Sequence, residues 1–111
     1  MEHRIKRYLM AIGVPPNLNG FYHIARCTEL FIEGIRSSQK PRICKLYEIV
    51  AQEKGDTACA VERGIRKAIQ KCFDENERAA EMLGIFFDPD KLNNSHFIAT
   101  VAMNIMEQDE F

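Results

Sequence analysis

Between residues 57 and 72 the chain gathers side chains suited to directional hydrogen bonding against a flat polar surface. Glu62, Arg63, Arg66, Lys67, Gln70 and Lys71 interleave with an apolar stripe of Val61, Ile65, Ala68, Ile69 and Cys72 spaced by three and four residues. That period predicts an amphipathic helix, with the stripe inward and the polar set outward. An arginine on such a face can donate two parallel hydrogen bonds to a guanine edge, and a glutamate can accept from cytosine. Glu62, Arg63 and Arg66, nearer the helix start, are the candidate base readers, whereas Lys67 and Lys71 suit phosphates. A merely solvated face gives the same pattern, with Glu62 and Arg66 pairing at i, i+4 for a few tenths of a kcal/mol.

The preceding segment supplies the frame for this helix. Ile43, Leu46, Tyr47, Val50 and Ala51 mark a third helix, which Lys54-Gly55 ends because glycine tolerates the left-handed backbone common at helix termini. Asp56 and Thr57 then offer oxygen acceptors to the free amides of the next helix. A helix-turn-helix needs a small residue in its first helix, a glycine at the turn and a branched apolar residue seating the second helix. Ala51, Gly55 and Val61 meet those needs in order, although any tight pair of helices could show the same triplet. The motif is placed at about residues 43–72, with a recognition helix over about 57–73. Lys40, Arg42 and Lys45 stand where its first helix begins and are candidate phosphate contacts.

The remaining elements are also helical. Ile5, Tyr8, Leu9 and Ile12 predict a first helix over 3–12, stopped by Gly13 and Val14-Pro15-Pro16. Phe21, Ile24, Thr28, Phe31, Ile32 and Ile35 predict a second of about four turns, closed by Gly34 and the run Ser37 to Pro41. Ala79, Met82, Leu83, Ile85 and Phe86 suggest a short fifth helix ended by Gly84, followed by a turn at Asp88-Pro89-Asp90. Asn94-Ser95 has the look of an N-cap, and Phe97, Ile98, Val101, Ala102, Ile105 and Met106 form the face of a sixth helix. No segment alternates with period two for long. The fold class is therefore all-α, a six-helix single domain over 1–111 containing a helix-turn-helix.

Composition narrows the chemistry. A chain of 111 residues can bury a core without metal or disulfide staples. Residues 36–71 hold nine Lys and Arg against four Asp and Glu, a local excess of five positive charges, whereas residues 72–111 hold two against nine. A basic middle is enough for a phosphate-facing surface, and a total of −1 argues against indiscriminate coating of nucleic acid. The acidic runs at 74–77 and 107–110 read as solvated helix ends, and Phe86-Phe87 with Met103 and Met106 as core or dimer contact. Cys27, Cys44, Cys59 and Cys72 form no C-x-x-C pair and read as reduced thiols. His3, His23 and His96 have no ligand-like spacing, so neither metal nor cofactor is expected. No nucleophile elbow, H-E-x-x-H or phosphate loop is present, so no enzyme is expected. No apolar run approaches the roughly 20 residues of a membrane span. The charged N-terminus lacks a secretory core, which makes the cytoplasm the simplest address.

Three motifs then resemble one family. The run Thr57-Ala-Cys-Ala-Val-Glu-Arg-Gly-Ile-Arg-Lys-Ala-Ile69, the earlier Ile12-Gly-Val-Pro15 with Gly20-Phe-Tyr22, and the late Asn94-Ser-His-Phe-Ile-Ala99 are similar to the C-terminal effector domain of the stage-zero sporulation response regulator family. They stand in the family's order and span roughly residues 8–107. The resemblance implies a fourth helix in the major groove, binding to repeated boxes as tandem dimers, and control of transcription through contacts with RNA polymerase. It assigns Glu62, Arg63 and Arg66 to base recognition and Thr57 to the helix start, and it puts the acidic 74–77 cluster where polymerase is met. Two positions depart: Ala60 stands where the family has a base-reading Arg, and Lys67 where it has His. One lost bidentate Arg–guanine contact forfeits about 1–3 kcal/mol of discrimination. Family members also carry a receiver domain, whereas this chain opens on the first effector helix, so no receiver is expected within it.

These readings converge on a sequence-specific, double-stranded DNA-binding transcription regulator with DNA as partner, RNA polymerase and a second copy as further partners, and no membrane. The rival is a protein-interaction module that lost its key Arg at position 60 and binds another regulator or polymerase through the same helices.

Overall fold

A computed structural model describes residues 1–109; the Glu110 end of the acidic tail lies outside the described residues. Six α-helices follow in order: α1 Glu2–Ile12, α2 Asn19–Arg36, α3 Ile43–Lys54, α4 Ala58–Glu75, α5 Ala79–Leu83 and α6 Asn94–Asp109. Two single 3-10 turns, Gly84–Phe86 and Pro89–Lys91, link α5 to α6, and no strand occurs among the described residues. The all-α architecture anticipated from periodicity is the one observed.

The long α2 is the axis of the domain, packing against α1, α3, α4 and α6. Its apolar positions Phe21, Ile24 and Ile32 meet Ile5 and Leu9 of α1, Val61 and Ile65 of α4, and Phe97, Ile98 and Val101 of α6 in one buried core. These positions recur at whole helical turns along their own helices, which is why each of these helices contributes one stripe and leaves the other side to polar residues. Ion pairs tie the periphery: Arg26 of α2 grips both carboxylate oxygens of Glu53 on α3, at 3.0 and 2.8 Å, and also meets Glu29. Arg4 and Arg36 share the Asp109 carboxylate, joining the start of α1 to the ends of α2 and α6.

Helix ends follow local chemistry with two corrections. Gly13 adopts φ 101° and closes α1, with the Val14 N–H returning to Leu9 O at 2.9 Å. Gly34 does not end α2. It lies inside the helix, where an added β-carbon would come within 2.9 Å of Pro41 Cγ, and the chain leaves the helix after Arg36 through Ser38 at φ 58°. At α6 the cap is Asn93, whose Oδ1 accepts from the His96 N–H at 2.8 Å, and not Asn94-Ser95. Asn94 points inward instead and is buried. Ile85, read as part of a helical face, is 92% exposed on the 3-10 turn that follows Gly84.

Candidate nucleic-acid interface

The α3–turn–α4 unit is built by three small features. Ala51 is buried and lets the helices approach, Gly55 turns the chain at φ 68°, and Val61 is fully buried at their contact. The Asp56 N–H closes α3 by donating to Ala51 O at 2.9 Å. Asp56 Oδ1 accepts from the Thr57 N–H at 2.8 Å, and Thr57 Oγ1 accepts from the Ala60 N–H at 3.1 Å. Thr57 is thus the N-cap of α4, satisfying one of its four otherwise free amides.

With Val61, Ile65, Ala68, Ile69 and Cys72 buried, α4 is fixed in rotation, and Arg63, Arg66, Lys67, Gln70 and Lys71 all stand exposed on the opposite side. Arg63 and Lys67 make no ion pair among the described residues. Arg66 does: its Nη1 lies 3.1 Å from Glu62 Oε1, with the arginine side chain 55% exposed and the glutamate 34%. A pair this open contributes a few tenths of a kcal/mol, so it orients the guanidinium without sequestering it. Lys71 meets Glu75 at 3.5 Å, also in the open. Ala60 sits half-buried in the first turn and presents no donor at its methyl.

Lys40, Arg42 and Lys45 are exposed around the start of α3. Lys45 lies 3.5 Å from Glu48, whereas Lys40 and Arg42 are unpaired among the described residues. Of these, Lys45 lies in α3 itself, Arg42 is its N-cap residue and Lys40 sits in the link from α2.

Three features of the site escaped the sequence reading. Gly20 of α2 lies against the Gly64 backbone of α4, so close that a β-carbon on Gly20 would fall 2.1 Å from Gly64 O. A signal existed at Gly64, because glycine in mid-helix costs about 1 kcal/mol relative to alanine and calls for a packing reason. His23, buried next to Gly64, has an Nδ1 without a partner, and burial holds its pKa below the ordinary 6.5. Asn94 of α6 donates from Nδ2 to Tyr47 Oη and to Glu62 O, each at 3.1 Å; nothing local in the sequence announces that contact.

The thiols divide by environment. Burial pushes Cys27 up to about 12 and Cys72 up to about 11, so both remain protonated and unreactive near neutrality. Cys44 and Cys59 are exposed, and all four are free. No three His, Cys, Asp or Glu side chains converge on a common point among the described residues, and no described helix is long and apolar enough to cross a membrane.

Among the described residues, six helices around one core, with a glycine-turned α3–α4 pair whose second helix bares a cationic face, define a helix-turn-helix domain. Residues 5–105 of the 111 match the family described as sporulation initiation factor Spo0A, C terminal. The chain belongs to that family, the DNA-binding effector domains of a sporulation regulator, a transcription-regulatory class and not an enzymatic one.

Proposed function

We propose that the domain reads duplex DNA by laying α4 in the major groove, with Glu62, Arg63 and Arg66 at base edges. Thr57 sets the start of that helix, and Lys67, Lys71, Lys40, Arg42 and Lys45 lie along phosphates. The observation that carries this reading is Arg63, exposed and free of any ion pair among the described residues, on a helix whose opposite face is completely buried. A guanidinium so placed keeps its five donors for a ligand. The whole chain acts as one DNA-binding unit in the cytoplasm, without cofactor; it pairs with a second copy on DNA and meets RNA polymerase, as the family resemblance implies.

The test is a selection of bound duplexes from a random pool, followed by affinity measured at two salt concentrations. The proposal expects an enriched word whose preference over unrelated duplex survives added salt, together with a steep general loss of affinity as phosphate contacts are screened. A second reading, protein docking through the same helices, is favoured by Ala60, which removes one base-reading donor. It expects no enriched word and only a weak background that salt erases.

A further inference from the structure

Among the described residues, Asn94 is the one side chain outside the proposed reading unit whose hydrogen bonds reach both of its helices. It is the first residue of α6 and is 9% exposed. One amide group spans 3.1 Å to the Tyr47 hydroxyl on α3 and 3.1 Å to the Glu62 carbonyl on α4. The carbonyl can only accept, so the nitrogen must face it, which fixes the amide's orientation. Both donors of Nδ2 are thereby committed, and Tyr47 itself is buried.

We propose that Asn94 is a positioning residue for DNA discrimination, setting the angle at which α4 presents Glu62 and Arg66 by pinning the Glu62 carbonyl to α6 and, through Tyr47, to α3. The inference rests on the base-reading function proposed above. Rotating α4 relative to α3 breaks at least one of the two bonds and leaves a buried polar group unpaired, which is penalised. Arg66 and Glu62 rise from the turn so pinned and pair with each other there. Base-edge hydrogen bonds weaken steeply when angles degrade, whereas a lysine on a long flexible stem follows a phosphate through the same displacement. Loss of Asn94 therefore degrades selectivity before it degrades general affinity.

The experiment compares the full chain with Asn94→Ala and Tyr47→Phe, using two duplexes: one recovered from a random pool by the unaltered chain, and one of unrelated sequence and equal length. Circular dichroism and a melting curve fix the folded fraction of each protein. Asn94→Ala is expected to lower the ratio of the two affinities by about five- to tenfold, the range of a lost buried hydrogen bond. Affinity for the unrelated duplex should stay within about twofold and its salt dependence unchanged, because the phosphate contacts are intact. Tyr47→Phe, which keeps the Glu62 bond, should lower the ratio by about twofold.

A folded Asn94→Ala whose ratio is unchanged, or whose two affinities fall together, overturns the positioning role while leaving base reading in place. Should Asn94→Ala fail to fold, Tyr47→Phe decides, and an unchanged ratio there overturns it equally. If the unaltered chain enriches no duplex at all, the base-reading function fails first and this inference with it.

Discussion

A β-carbon built on Gly20 would lie 2.1 Å from the carbonyl oxygen of Gly64, so α2 and α4 cross backbone against backbone. The relation is one-sided. From Gly64 the nearest foreign atom to such a carbon is His23 Cδ2 at 3.6 Å, an ordinary contact. Gly20→Ala must push the helices apart and is expected to cost about 1–3 kcal/mol or more. Gly64→Ala gains helix propensity and is expected to be neutral or stabilising by up to about 1 kcal/mol. Urea denaturation of the two variants checks the asymmetry; equal losses would contradict it.

Thr57 caps α4 through its bond from the Ala60 N–H. Thr57→Ala removes the acceptor and should destabilise by about 1 kcal/mol, within a range of 0.5–2. Thr57→Ser should restore most of the loss in the same denaturation experiment, since the hydroxyl and its geometry return.

Burial keeps His23 neutral in the folded chain, with Asp56 nearby favouring the proton and Lys54 opposing it. Because the folded value lies below 6.5, the unfolded chain takes up the proton more readily. The stabilising contribution is therefore complete above that pH and is lost as pH falls through the lower, folded value. Melting temperature should drop between neutral and mildly acidic buffer, and His23→Gln should flatten the part of that slope due to this ring. A variant with an unaltered slope would show that other groups govern the acid limb.

Much of this arrangement was legible because it is local. The stripe Val61, Ile65, Ala68, Ile69 and Cys72 fixed the rotation of α4 from sequence spacing alone, and the exposed face followed by subtraction. Thr57 and Gly55 were legible for the same reason, since capping and a left-handed turn are decided within a few residues. Gly34 and Asn94 depart from their local signals because each carries a local meaning, helix breaker or cap, that a partner elsewhere overrides: Pro41 packed on one, Tyr47 and Glu62 bonded to the other. The pairing of Gly20 with Gly64 joins residues 44 apart in sequence, and no periodicity relates them. The role of each exposed cation was legible only as chemistry, because solvent-facing side chains leave no mark on the fold.

Lys71 and Arg63 share a helix face but serve different ligand atoms in this account. Lys71→Ala should weaken binding to every duplex alike and lower the slope of log affinity against log salt by about 1. An effect confined to one DNA sequence would move Lys71 from phosphate to base.

The most direct measurement is the affinity of Arg63→Ala for the duplex selected by the unaltered chain and for an unrelated duplex at the same salt. Base reading by Arg63 requires a sequence-dependent loss, about 1–3 kcal/mol on the selected duplex beyond whatever is lost on the unrelated one. Equal losses on both would contradict base reading by α4.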